Sequence, residues 1–263
     1  MTQNKHTDDQ TALRERQGKG ARYDSPAAPA HELMLARRGT AYFARLLNGI
    51  KDDDLDVASL IPGWTRRHVV AYIAYQARQL ALMIEAVHDG SPVPVFDTQT
   101  MSKLIEDGAT LPARALRNLF DHAEVHLNVV WRDLSADNWA AAIMLDGTQV
   151  WIRETPWIRA RAVWVHAVDL ASEGSFLDFP SSLLDALLND LGKTAPFEKH
   201  SLERKGNDCW IIRPDREHEP IFAHPADAAR WLSGRGARRL TGLPRNDATF
   251  EIPLWPPIFA ASA

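Results

Sequence analysis

Five times between residues 31 and 192 the chain sets apolar residues three and four positions apart over a stretch long enough for a helix. No other feature constrains the fold as much. The first stretch carries Leu33, Leu35, Ala36, Tyr42, Phe43, Leu46 and Leu47 and is closed by Asn48-Gly49. The second starts after Pro62-Gly63 with Thr65 as N-cap, and Trp64, Val69, Val70, Ile73, Ala74, Ala77, Leu80 and Ala81 keep the period to His88. The third opens at Leu111-Pro112 and carries Leu116, Leu119, Phe120, Ala123, Leu127, Val130 and Trp131. The fourth spans Pro156 to Ser172, and a shorter fifth covers Ser181 to Leu191. An amphipathic helix hides its stripe only against other elements, so this succession predicts a helical bundle.

Asp146-Gly147 separates two short apolar runs, 141–145 and 148–152, and predicts a hairpin between the third and fourth helices. After Gly192 the texture changes. Cys209 to Arg213, Pro220 to Ala223 and Ala248 to Ile252 read as short strands, and Pro225 to Ser233 as a helix ended by Gly234. The plan is mainly α with a small α+β part: a polar, disordered tail over 1–30, a bundle over 31–192 and a small α+β domain over 193–263. Pro253, Pro256 and Pro257 predict an irregular C-terminal end.

Composition narrows the function. Lys and Arg number 30 against 34 Asp and Glu, a net charge of −4, which argues against a nucleic-acid binder. Cys209 is the sole cysteine, so neither an internal disulfide nor a cysteine-cluster metal site can form. No apolar run reaches the roughly 18 residues of a membrane span, and residues 1–29 lack the apolar centre of a signal peptide. The expectation is a cytoplasmic protein without membrane or nucleic-acid partners, a monomer or small homo-oligomer.

Histidine is the commonest switchable base and a common metal ligand. His122 and His126 share a face of the third helix, while His68 and His166 lie on the second and fourth, so a bundle-centred metal site is conceivable beside the plainer reading of structural histidines. Tyr72 and Tyr75 stand three apart on an otherwise apolar helix. His166 and Asp169 are one turn apart, which lets a carboxylate orient an imidazole. In Gly234-Arg-Gly236 the glycines permit close backbone approach, and Arg235 offers a fork for a carboxylate.

Together these segments resemble the mycothiol-dependent maleylpyruvate isomerases of the DinB/YfiT-like superfamily. The resemblance rests on Leu35-Ala-Arg-Arg-Gly-Thr40, Gly63-Trp-Thr-Arg-Arg-His68, Ala71 to Ala77, Ala115-Leu-Arg-Asn-Leu119 with His122, Val130-Trp-Arg132, Glu154-Thr-Pro-Trp157, Val163 to Leu170 and Gly234-Arg-Gly236. It implies a DinB-like four-helix bundle followed by a small C-terminal α/β domain. It also implies cis–trans isomerisation of maleylpyruvate to fumarylpyruvate in gentisate-type aromatic degradation, with a low-molecular-weight thiol (mycothiol or glutathione) as cofactor.

In the family a zinc ion is held by a histidine of the second helix and a Glu-x-x-x-His pair of the fourth. Those positions are Tyr72, Ala162 and His166 here, so two of three ligands are replaced, and zinc is not expected. The family's C-terminal arginine is Arg235. Two readings follow. In one, a metal-free isomerase uses His166 as base, Asp169 to orient it, Tyr72 as donor to an enolate, and Arg235, with Tyr75 and Asp169, to bind a carboxylate substrate. In the other, the pocket is reused by a thiol S-transferase, a keto-diacid hydrolase or a non-catalytic binder.

Overall fold

The computed structural model describes residues 24–94, 96–145, 147–193, 201–206, 208–213, 219–242, 252 and 254. The four long stripes form α1 (Ala30–Gly49), α2 (Arg66–Asp89), α4 (Ala113–Asp133) and α6 (Thr155–Asp169). α1 packs on α6, α2 packs on α4, and α2 also meets α6, so the stripes close on one core. α6 is apolar on nearly every side: Ala160, Ala162, Val163, Val165, Ala167 and Val168 are all buried. A helix apolar all round belongs at the centre, and any polar group it carries must find partners there.

Two helices join this frame without having been expected. α3 (Thr98–Ala109) lies on α2, buries Met101 and Ile105, and lets Tyr75 and Ala71 approach its Gly108. α5 (Ala136–Trp139) is a single turn. The hairpin forms as the sequence predicts: β1 (Ala142–Leu145) pairs antiparallel with β2 (Thr148–Trp151), Ile143 stands opposite Val150, and Gly147 takes a positive φ of 75° at the turn.

α6 stops at Asp169, three residues short of the expected Ser172. The chain turns there with Ala171 at φ 50°. Arg66 donates from Nε to the Leu170 carbonyl (2.7 Å) and from Nη2 to the Ala171 carbonyl (2.8 Å). The Leu60 N–H donates to the Asp169 carbonyl at 3.0 Å. A cation over the last carbonyls suits the negative end of the helix dipole. Arg67 binds Asp56 (2.6 Å) and the Leu111 carbonyl (2.8 Å). The Gly63–His68 segment thus fixes the start of α2 against the end of α6.

In the C-terminal part α7 (Ser181–Leu191) packs on α8 (Pro225–Leu232). Beside them β3 (Ser201–Arg204), β4 (Trp210–Arg213) and β5 (Ile221–Ala223) form an antiparallel sheet in that order. β4 and β5 match the expected strands within a residue, whereas β3 was not expected. Residues 24–29, within the expected tail, form a turn held to α1 by two hydrogen bonds from Arg37 to Asp24, at 2.6 and 2.7 Å. Residues 1–23 of that tail, the expected strand at 248–252 apart from Ile252, and the C-terminal segment apart from Leu254 lie outside the described residues. No helix among the described residues is long and apolar enough to cross a membrane.

The α1–α6 contact rests on Gly39. A Cβ there would stand 2.5 Å from Val163 Cγ2 and 2.6 Å from Trp164 Cδ1. Trp164 cannot easily retreat, because its Nε1 donates to the Leu35 carbonyl (2.9 Å) and its ring stacks on Tyr42 at 4.8 Å. Overpacking against such fixed neighbours costs up to about 3 kcal/mol, against a helix-propensity gain of about 1 kcal/mol. Gly39→Ala is therefore expected to destabilise the protein by about 2 kcal/mol, read as a lower urea midpoint. An unchanged midpoint would contradict this contact.

Candidate active site

The last turn of α6 carries His166 and Asp169, and their side chains have no exposure to solvent. The third member arrives from the end of α8. Gly234 (φ 81°) and Gly236 (φ 83°) take left-handed conformations, and the Arg235 N–H closes the helix on the Arg230 carbonyl at 3.0 Å. The space where a Cβ of Gly236 would stand is open, so this glycine serves backbone conformation and not the close approach expected of it. Arg235 is thereby turned inward, with its side chain fully buried.

Arg235 donates from Nε to Asp169 Oδ1 at 3.0 Å and from Nη2 to Oδ2 at 2.6 Å, while Nη1 donates to the Ser233 carbonyl at 2.5 Å. The fork assigned from sequence to a substrate carboxylate is engaged by a carboxylate of the protein itself. Asp169 Oδ2 also lies 2.7 Å from His166 Nδ1. Burial opposes the Asp169 anion, but the Arg235 charge and the hydrogen bonds from His166 and Arg235 outweigh it and hold its pKa down at about 2. Burial likewise lowers the His166 pKa, more than the Asp169 hydrogen bond raises it, and the charges of Arg235 and Arg159 push the same way. The imidazole is neutral, and an anionic acceptor on Nδ1 places its one proton there. Nε2 is then the basic nitrogen, and it has no hydrogen-bond partner among the described residues.

Aromatic rings lead from this imidazole toward the start of α2. Tyr72, 3% exposed, meets His166 edge-on with centroids 5.0 Å apart. Trp64 lies 5.8 Å from Tyr72 and stacks at 6.0 Å on the half-buried His68. Ala162 is buried one turn before His166 on α6. These positions do not fit a zinc ion: Ala162 has no donor, Tyr72 is a phenol, and Asp169 engages one nitrogen of His166. Among the described residues no group of three or more His, Cys, Asp or Glu is placed to hold a metal ion.

The structure thus brings together Tyr72, His166, Asp169 and Arg235 and leaves other expected residues apart. Tyr75 packs against Gly108 of α3. His68 accepts at Nδ1 from the Thr65 N–H (3.2 Å) at the helix start and turns Nε2 toward Glu106 (3.4 Å). His126 pairs with Glu85 at 2.8 Å, and it lines with His122 and Arg78 a cavity of about 310 Å³ on the outer α2–α4 face, lined by none of the site residues.

Sequence reasoning missed Arg159. Its fully buried guanidinium contacts Glu124 of α4 and donates from Nη1 to the Ile73 carbonyl (2.8 Å) and Gln76 Oε1 (2.7 Å) of α2. The Thr40 hydroxyl of α1 donates to Glu124 at 3.0 Å, so one polar group links all four bundle helices. The missed signal was an arginine on a helix apolar all round.

Comparison with known proteins bears on this arrangement. Residues 36–171 match the family model described as the mycothiol maleylpyruvate isomerase N-terminal domain. The crystal structure of the mycothiol-dependent maleylpyruvate isomerase is similar at a TM-score of 0.72 and 30% sequence identity, covering 81% of this chain and 91% of that one. A histidine-to-alanine mutant of that enzyme matches with the same values. No match was found among curated proteins.

The electrostatics give a pH signature. Below about 6.5 the unfolded state gains a proton on His166 that the folded state refuses, so stability present above that pH falls as acid is added. Asp169, held at about 2 against 3.8 when unfolded, adds a second contribution that is lost as pH falls through that lower range. Between pH 7 and 5, His166 is expected to contribute a slope of up to about 1.4 kcal/mol per pH unit. Urea midpoints of His166→Gln should lack that slope; parallel profiles for variant and wild type would contradict a buried neutral imidazole.

Proposed function

The chain belongs to the mycothiol maleylpyruvate isomerase family, and from that premise we propose that it isomerises maleylpyruvate, or a close unsaturated keto-diacid, to the trans isomer. A low-molecular-weight thiol is the co-catalyst, and zinc is not used. One observation carries this reading: a buried neutral His166 whose Nδ1 proton is held by Asp169 and whose Nε2 has no hydrogen-bond partner among the described residues. That is a poised general base in the place where the family uses a metal to activate a thiol.

His166 Nε2 takes the thiol proton as the sulfur bonds to one carbon of the cis double bond. The π electrons move to the conjugated carbonyl as an enolate, whose oxygen accepts a hydrogen bond from the Tyr72 hydroxyl. The former double bond is now single and rotates. The enolate then expels the thiolate, the double bond re-forms as trans, and His166 returns its proton to sulfur. Arg235 acts here as a positioning residue, fixing the carboxylate that fixes the imidazole. Access runs along the Trp64 and Tyr72 rings, which must part to admit the diacid. Mycothiol and glutathione present the same nucleophile, and a reduced cytoplasmic thiol pool is the setting we assign.

Turnover of maleylpyruvate with and without thiol, in the presence of a chelator, tests the reading. Thiol-dependent, chelator-insensitive isomerisation is expected, with His166→Ala lowering kcat/KM by about 10²–10⁴-fold. Activity abolished by chelator and restored by zinc would overturn the metal-free mechanism. Thiol consumed without isomerisation would mean an S-transferase, and cleavage of the diacid a hydrolase. Stabilisation by the diacid without turnover, roughly 2.7 kcal/mol at a hundred times Kd, would mean a binder.

A further inference from the structure

The outer face of α2 and α4 is divided by charge. Its cavity of about 310 Å³ is lined by Arg78 and Leu82 of α2 and by Leu119, His122, Ala123 and His126 of α4, with no carboxylate among them. Farther along the same two helices, a smaller cavity of about 180 Å³ is lined by Glu85, Asp89 and Asp133 beside His88. His126 Nε2 meets Glu85 Oε1 at 2.8 Å, so one bridge joins a residue of the basic cavity to a residue of the acidic one.

Helical spacing builds the larger cavity. Arg78 and Leu82 are one turn apart, and Leu119, His122, Ala123 and His126 share one face of α4. Ala123 is buried and Leu82 and Leu119 are half-buried, whereas Arg78 and His122 are exposed. The hollow therefore has an apolar floor and a polar rim. Among the described residues neither Arg78 nor His122 makes a hydrogen bond or an ion pair. Ligand sites of about 300 Å³ and above pair an apolar lining with a few convergent polar groups. The planar fork of an arginine matches a carboxylate, and an imidazole N–H is a further donor to it. No group of three or more metal-ligating side chains stands among the described residues, so the lining selects an anion and not a metal ion.

We propose that this cavity is a binding site for a small carboxylate with a compact apolar body. Arg78 and His122 hold the carboxylate from the two helices, and the body rests on Leu82, Leu119 and Ala123. None of Tyr72, His166, Asp169 and Arg235 lines the cavity, so this site is independent of the isomerase reading.

Titration of the intact chain with benzoate, followed through the imidazole NMR signals of His122 and His126, tests the site. His122→Asn and His126→Asn assign the signals. Saturable shifts of both are expected. Benzoate should bind about tenfold or more tighter than benzamide, which keeps the ring and loses the charge, the worth of one hydrogen bond to a charged group. Acetate, which keeps the charge and loses the ring, should bind about tenfold or more weaker than benzoate, because it covers less apolar surface. Arg78→Gln removes no contact that the fold needs, so a cooperative melting transition should remain while the preference for benzoate over benzamide disappears. Arg78→Lys keeps the charge and loses the fork, and should narrow that preference. Shifts confined to the His166 signal, equal binding of benzoate and benzamide, or a preference that survives Arg78→Gln would overturn the proposal. Acetate or inorganic phosphate binding as tightly as benzoate would overturn it too, since the apolar floor would then contribute nothing.

Discussion

Asp169 carries a negative charge with no access to water, and the rest of the site is arranged around neutralising it. Moving a carboxylate out of water costs several kcal/mol, and only close, well-shaped partners offset that. Arg235 supplies a two-pronged ion pair and His166 an N–H. Arg235 reaches Asp169 only because α8 ends in two left-handed glycines, so the C-terminal part must dock on the end of α6 for the charge to be tolerated. The same carboxylate decides which nitrogen of His166 holds the proton. Docking, charge balance and the protonation state of the base are one constraint.

α6 makes this possible by being apolar almost all round. Its fully buried polar side chains are held by neighbouring elements, His166 and Asp169 near one end and Arg159 nearer the other. The two groups do different work. Asp169 joins the bundle to the C-terminal part, whereas Arg159 and Glu124, with Thr40 and Gln76, cross-link the four bundle helices. Removing a single partner from either leaves a buried charge, which is costly. Between them lie Tyr72, which meets His166 edge-on, and the buried Ala162. A phenol and a methyl group there leave the space to rings and hydrogen bonds.

The bundle was legible because each long helix writes its buried face at helical spacing, and the hairpin because Asp146-Gly147 separates two apolar runs. α3 was not legible: Met101, Leu104 and Ile105 are too few to mark a stripe, and its position is fixed by α2 packing on Gly108. β3 holds one apolar residue, Leu202, and takes its conformation from pairing with β4. The pairing of His166 with Asp169 could be read from their one-turn spacing. That Arg235 closes on Asp169 could not, since 66 residues separate them and only the docking of α8 brings them together. Arg159 was hidden because one helix read alone does not show that every side of it is covered.

The account depends on His166 being neutral, protonated on Nδ1 and bare at Nε2. Nitrogen-15 NMR of the imidazole reads both nitrogens directly, with His166→Gln giving the assignment. A protonated Nδ1 and an unprotonated Nε2, unchanged between pH 8 and 5.5 and on addition of zinc, is the result this account predicts. A ring that titrates near its ordinary value, or an Nε2 signal that moves when zinc is added, would contradict it.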